Sequence, residues 1–263
     1  MNSIKIREST RNFQETPLTP EDLAKIETYL GEPKNLTGPY GDQFELELIL
    51  QTGYTKKETI GTYGFIKNPQ GFIVGKSIND VITLFQFGYV FENLILYLSS
   101  LGIGNCWLGG TFNREKLMSS LSLSENEIIP AITPLGYSQD TRHFKERVQR
   151  RVIGANQRKS REYLFFYENF DQPLTDQLAG IYQQALHYVR IAPSAKNKQP
   201  WRIIFSKDLS KAHFYIAFGL KDDSSYACPP EYLDIGIAYN HFEAGIQENG
   251  LSGKLVIEEP KIA

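Results

Sequence analysis

Cysteine is almost absent from this chain. Cys106 and Cys228 are the two in 263 residues, so no disulfide framework is expected and a reducing cytoplasm is the default setting. An excess of either charge is also missing. The 28 basic and 30 acidic side chains leave a net −2, which gives no global electrostatic footprint for nucleic acid or a membrane surface. The most apolar stretch, Val81 to Leu101, is interrupted by Gln86, Glu92, Asn93 and two serines. It reads as a buried helix rather than a membrane span. The opening residues MNSIKIR carry charge at once and form no apolar signal core. No GxGxxG or phosphate-loop sequence occurs. His143, His187, His213 and His241 lack ligand spacing, so no metal site is expected. What remains is ordinary for a globular core: 41% hydrophobic, 13% aromatic and 22% charged residues.

The chain resembles itself. Residues 86–104 read QFGYVFENLILYLSSLGIG, and residues 234–252 read DIGIAYNHFEAGIQENGLS. At an offset of 148, Gly88 falls on Gly236 and Gly102 on Gly250. Phe87, Phe91, Leu94 and Leu98 fall on Ile235, Tyr239, Phe242 and Ile246, a helical and largely buried spacing. Each helix ends at a glycine able to take the left-handed conformation. A short apolar strand is expected after each, Cys106 to Leu108 and Leu255 to Ile257. Asn12-Phe13 before Pro17-Leu18-Thr19 matches Asn169-Phe170 before Pro173-Leu174-Thr175, at offsets of 157 and 156. The alternative is that amphipathic helices ending in glycine look alike anywhere; the favoured reading is a duplicated unit. It divides the chain into residues 1–155 and 156–263.

Helices are expected over Thr19 to Tyr29 with Thr19 as cap, from a cap at Asn79 through the first central helix, over Arg114 to Leu121 capped by Asn113, from Thr175 towards Val189, and over Tyr232 to Asn249. Strands are expected at Phe44–Leu50, Gly71–Gly75, Arg202–Ser206 and Phe214–Phe218. The alternation is not that of regular βαβ units, so the fold class is α+β. The basic run from Arg142 to Arg161 reads as a linker with solvated side chains.

Three segments carry chemistry. In extended chain, Arg7, Ser9 and Arg11 point to one side, presenting two guanidinium forks and a hydroxyl suited to a phosphate monoester. Exposed alternation of this kind is also common without a ligand. The loop from Ile191 to Arg202 is stiffened by Pro193 and Pro200 and offers Ser194 and Asn197, enough for a polar planar ligand or for an ordinary turn. Gly109 and Gly110 expose amides to close approach, or simply make a turn.

Together these segments resemble the nitroreductase family. The carriers are Arg7, Ser9 and Arg11; the APSAKNKQPW segment with Ala192, Pro193, Ser194, Asn197, Gln199, Pro200 and Trp201; and Gly102, Gly104, Cys106, Trp107, Gly109 and Gly110. The resemblance implies a fold normally built as a homodimer with FMN at each of two interfaces. It further implies that Arg7, Ser9 and Arg11 hold the ribityl phosphate, that the amides near Gly109 and Gly110 face the flavin ring, and that Pro193, Ser194, Ala195 and Asn197 line it from across the interface. Arg158 and Lys159 would add phosphate contacts.

One departure matters. Residues 35–42, where the QPW segment would stand after the N-terminal arginines, read NLTGPYGD. Counting back from Phe170, the counterparts of Arg7, Ser9 and Arg11 are Leu164, Phe166 and Glu168, which cannot bind phosphate. Each half keeps what the other lost, as in fused nitroreductases whose single chain mimics the dimer. The expectation is one FMN per chain in a protein that is monomeric, with NADH or NADPH as electron donor and a small nitro, quinone or related acceptor as substrate. No side chain presents itself as an obligatory acid or base. A non-catalytic flavin carrier and an interaction module with a relict fold are the competing readings.

Overall fold

A computed structural model describes residues 2–51, 60–121, 123–139, 157–219 and 225–257. Helix α1 (Asn2–Ile6) leads into the extended segment 7–13. Helix α2 (Pro20–Gly31) begins where the Thr19 hydroxyl accepts from the Asp22 amide at 3.1 Å and Pro20 fills the first turn. Strands β1 (Leu46–Leu50), β2 (Gly71–Gly75) and β3 (Ser77–Ile78) precede α3 (Val81–Ser100) and β4 (Ile103–Asn105). Then come α4 (Arg114–Ser120), β5 (Glu127–Ile128) and β6 (Ile132–Tyr137). The C-terminal part runs α5 (Arg161–Leu164), β7 (Phe165–Tyr167), α6 (Asp176–Ala179), α7 (Gln183–Ile191), β8 (Trp201–Phe205), β9 (Ala212–Ile216) and α8 (Pro230–Glu248). One antiparallel sheet has the order β1-β2-β6-β4; a second has the order β7-β8-β9, with β7 parallel to β8. Helices and sheets are segregated as the α+β reading requires.

The two helices that match in sequence cross at the centre. A Cβ on Gly88 would lie 2.3 Å from the Leu233 carbonyl oxygen, and one on Gly236 would lie 2.0 Å from that of Phe85. Only glycine lets two helix backbones approach so closely. The contacts are reciprocal, since Leu233 stands 148 residues after Phe85 as Gly236 stands after Gly88. One turn further on, the Asn240 amide donates to Asn93 Oδ1 at 2.7 Å, and His241 Nε2 meets Glu92 Oε1 at 2.9 Å. Exchanging residues 148 apart carries one pair into the other. A self-complementary interface between two copies has this relation between its contacts. The apolar positions aligned between the helices are all buried. Although α3 is long and apolar enough to cross a membrane, most of it lies inside this core.

Several local expectations meet a different outcome. Asp80, not Asn79, caps α3; its carboxylate accepts from the Ile82 and Thr83 amides at 3.1 and 3.0 Å. The helix from Thr175 breaks at Gly180, whose φ of +46° stops the ladder and leaves a short 3₁₀ turn before α7. The strand after α3 is Ile103–Asn105, one residue before the expected Cys106; of that expected strand, Leu108 alone pairs, as an isolated bridge to Ile132. Leu255 to Ile257 form no strand, and Val256 and Ile257 are 48% and 63% exposed. By contrast, Gly102 and Gly250 do adopt left-handed φ values of +75° and +71°. Most of the basic run, Arg142 to Arg151, lies outside the described residues, as does His143.

Candidate functional site

Strand β4 positions the N-terminal segment. Ser9 bridges Asn105 in parallel, and the Thr10 amide donates to the Asn105 carbonyl at 2.8 Å. The same run continues through Cys106, Trp107 and Leu108 to Gly109, so the Arg7-Ser9-Arg11 face and the glycine pair share one edge. Arg7, Ser9 and Arg11 are half-buried. Among the described residues no side-chain hydrogen bond or ion pair engages any of the three. Two guanidinium groups left without a carboxylate present an anion site by their donor chemistry.

Gly109 and Gly110 lie under the segment that enters α8. A Cβ on Gly109 would meet the Tyr226 ring at 2.9 Å, and one on Gly110 the Ser225 hydroxyl at 2.7 Å. Close packing of that segment therefore explains why both positions lack side chains. Their amides remain available, since no hydrogen bond among the described residues engages either. Arg114 locks the arrangement. Its guanidinium donates to the carbonyls of Gly109, of Ile129 at 3.3 Å and of Ser225 at 3.2 Å, and burial lowers its pKa.

The 193–199 loop is held from the other side of the same helix start. The Ala195 amide donates to Asp234 Oδ1 at 3.0 Å, and Lys198 pairs with Glu231 at 3.2 Å. Asp234 is 3% exposed, and burial holds its carboxyl well above the usual carboxylate range, against the pull of the Ala195 amide. Ser194 Oγ accepts from the Gln199 amide at 2.9 Å. Asn197 donates to the Gln157 carbonyl and accepts from Arg158, both at 2.8 Å. Ser194 and Asn197 thus build the loop with their side chains, while Pro193 and Ala195 are half-buried along it. Lys196, Asn197 and Gln199 have φ of +50°, +54° and +48°. Three left-handed non-glycine residues in four positions are strained and persist because these bonds over-determine them.

Arg158 also donates to the Ile191 carbonyl at 3.3 Å, and Ile191 packs on the cluster containing Ile4 of α1. That contact ties the loop to the N-terminal segment. Lys159 turns elsewhere: its amide donates to Gln199 Oε1 at 2.9 Å, and its ammonium lies 4.7 Å from the Tyr163 ring centre. Arg202 stacks on the same ring at 4.0 Å. Arg202 holds the Tyr163 phenol below its ordinary pKa by a hydrogen bond and by charge; burial, then the Arg202 charge, lower that of Lys159. Sequence reasoning missed Arg114, Asp234 and Tyr226. The counterparts of the N-terminal trio differ sharply from it: Leu164 is fully buried, Phe166 is 9% exposed, and Glu168 faces solvent with φ +62°.

Among the described residues no cluster of histidine, cysteine and carboxylate side chains suits a metal ion. His187 is exposed on α7, and His241 is buried, bonded to the Tyr188 carbonyl at 3.0 Å and to Glu92. Cys106 is 2% exposed and packed in the core.

Comparison with known proteins identifies the fold. Residues 1–246 match the family model described as "Putative TM nitroreductase". A Thermotoga maritima protein described as a "putative nitroreductase" shares the fold, with 21% identity over 94% of this chain and 83% of its own, at a TM-score of 0.57. An FMN-dependent nitroreductase of Clostridium difficile is 18% identical over 53% of this chain and 88% of its own, at a TM-score of 0.42. A nitroreductase with bound FMN from Bacteroides fragilis is 20% identical over 55% and 91%, at a TM-score of 0.41. No curated protein matches the sequence. By the match that runs from its first residue almost to its last, the chain belongs to this nitroreductase family.

Proposed function

We propose that this chain is a flavin-dependent oxidoreductase that holds one FMN, accepts electrons from NADH or NADPH and passes them to a small nitro, quinone or related acceptor. The observation that carries the reading is the half-buried trio Arg7, Ser9 and Arg11, which no side chain among the described residues neutralises. FMN fits the residues present. Its phosphate suits two forks and a hydroxyl, and its ring suits the amides of Gly109 and Gly110 together with the rigid loop Pro193 to Asn197. Bound there, FMN would supply the hydride and electron chemistry. The protein's part is to grip and orient. Arg7, Ser9 and Arg11 hold the phosphate. Arg158 keeps Asn197 and the loop in place. Arg114 fixes the carbonyl of Gly109, so that the neighbouring amides keep their direction.

The buried Leu164 and Phe166 support a single flavin site per chain. The reciprocal contacts between α3 and α8 support a duplicated chain that acts as its own partner, and so a monomer. No side chain is assigned as acid or base. The test is the visible spectrum of the purified protein, with released cofactor identified and counted. The expected result is one FMN per chain, bleached by NADH or NADPH without oxygen. Two FMN per chain would overturn the single site, and bound flavin that neither donor reduces would make the protein a carrier. A colourless protein that takes up no FMN would remove the function and leave the fold.

A further inference from the structure

The exchange of residues 148 apart relates more than the two helices. It carries Asp234 onto Gln86, and the two side chains do corresponding work. Asp234 accepts from the Ala195 amide; Gln86 accepts from the Tyr40 amide at 2.8 Å. The loop around Tyr40 is therefore the spatial counterpart of the loop around Ala195, although their sequences have parted. The same exchange carries residues 103–109, which end at the first glycine of the pair, onto residues 251–257. The three elements around the proposed flavin ring thus have three counterparts: the loop at Tyr40, the start of α3, and residues 251–257.

Those counterparts surround a cavity of about 640 Å³. Tyr40, Phe85 and Leu255 represent the three elements in its wall, and Phe214, Tyr239 and Phe242 close it from β9 and α8. Among the described residues no aspartate or glutamate lines it. The Tyr239 hydroxyl is already bonded to Glu243 at 3.2 Å and that of Tyr182, also in the wall, to the Leu209 carbonyl at 2.9 Å. Aromatic and aliphatic side chains make up most of the wall, with Lys211, His213 and Lys254 among them, and the volume suits a small organic molecule. The phosphate end is missing, because Leu164 and Phe166 are packed into the core where arginine and serine would be needed.

We propose that this cavity is a second ligand site, which takes a flat aromatic ring system carrying no phosphate. Its position relative to the flavin rests on the duplicated reading above; the cavity and its lining do not. Aromatic faces stack on aromatic rings, which selects a flat ring system.

The probe is lumichrome, an alloxazine ring with no ribityl phosphate, titrated by fluorescence into the FMN-loaded protein. One equivalent should bind without releasing FMN, and Arg11→Ala should leave that binding unchanged. Val81→Glu and Ile257→Glu place a carboxylate at the rim of the cavity, at positions 45% and 63% exposed where the fold tolerates charge. Each should weaken lumichrome about tenfold or more. Absence of binding, competition by free FMN, or binding unchanged in both variants would overturn the proposal. So would binding gained only when residues 258–263 are removed, which would assign the space to the chain's own end. If the protein holds no FMN at all, the flavin reading fails while the same titration still reads this cavity.

Discussion

Gln86 and Asp234 occupy equivalent points on crossing helices and anchor equivalent loops with different chemistry. Gln86 is a neutral amide that accepts from Tyr40 and, at 3.3 Å, from Asp42, while donating to the Asp42 carboxylate. Asp234 accepts from Ala195, and its burial favours the uncharged form. A neutral acceptor is therefore what the fold asks of this position, and the acid is tolerated rather than required. The same lesson applies at the trio. Where the N-terminal segment leaves Arg7, Ser9 and Arg11 half-buried, its counterpart packs Leu164 and Phe166 inward. One copy of the element is polar and the other serves the core.

The strongest way to break the reciprocity is at the helix crossing. The Tyr188 carbonyl can only accept, so His241 Nδ1 carries a proton, and a further proton lies between Nε2 and Glu92. Glu92 also accepts from the Trp107 indole at 2.7 Å. Glu92→Ala strands both donors and should cost about 3–5 kcal/mol in urea unfolding. Asn240→Ala, in the matching pair, should cost about 1–3 kcal/mol. Next in size is the difference between the two N-terminal segments. Arg11→Ala should weaken FMN binding by about 1.5–3 kcal/mol, read by flavin titration, whereas Glu168→Ala should leave flavin content unchanged. Gly88→Ala and Gly236→Ala should each destabilise by about 1–3 kcal/mol, and unequal losses would show that the crossing is not symmetric in energy.

The smallest effect is at Asp234. Its folded-state pKa is raised, so the folded form binds the proton more tightly than the unfolded chain. That contribution is fully present at low pH and is lost as pH rises through the folded value. Glu231 reinforces the shift and Lys198 opposes it. Compared with Asp234→Asn, the wild type should therefore lose thermal stability as pH rises from acid towards neutral. A difference that does not change with pH would mean the carboxyl stays charged.

Much of this was legible in the sequence where the cause is local. The caps at Thr19, Asn113 and Thr175 follow from side chains that reach amides three residues on. Gly102 and Gly250 follow from a conformation that glycine adopts freely. The misses share a dependence on distant partners. Leu255 to Ile257 have strand composition, but no neighbouring strand receives them. Asn79 and Asp80 are equally good caps on paper, and only the geometry of the turn decides between them. In the site, the trio and the APSAKNKQPW loop were readable as motifs. Arg114 and Asp234 were not, because each holds backbone brought near by the fold. The resemblance assigns Ser194 and Asn197 to the ligand, and no sequence motif shows that their side chains also build the loop.

Trp107 packs against both the cluster around α3 and the cluster around α8, and the other tryptophan, Trp201, is fully buried in the latter. The chain therefore carries its own pair of optical reporters. Emission from Trp107 follows the junction, and emission from Trp201 follows the C-terminal sheet. If the two change at the same denaturant concentration, the halves have become a single cooperative body. If Trp107 responds first, they still part along the seam where they meet.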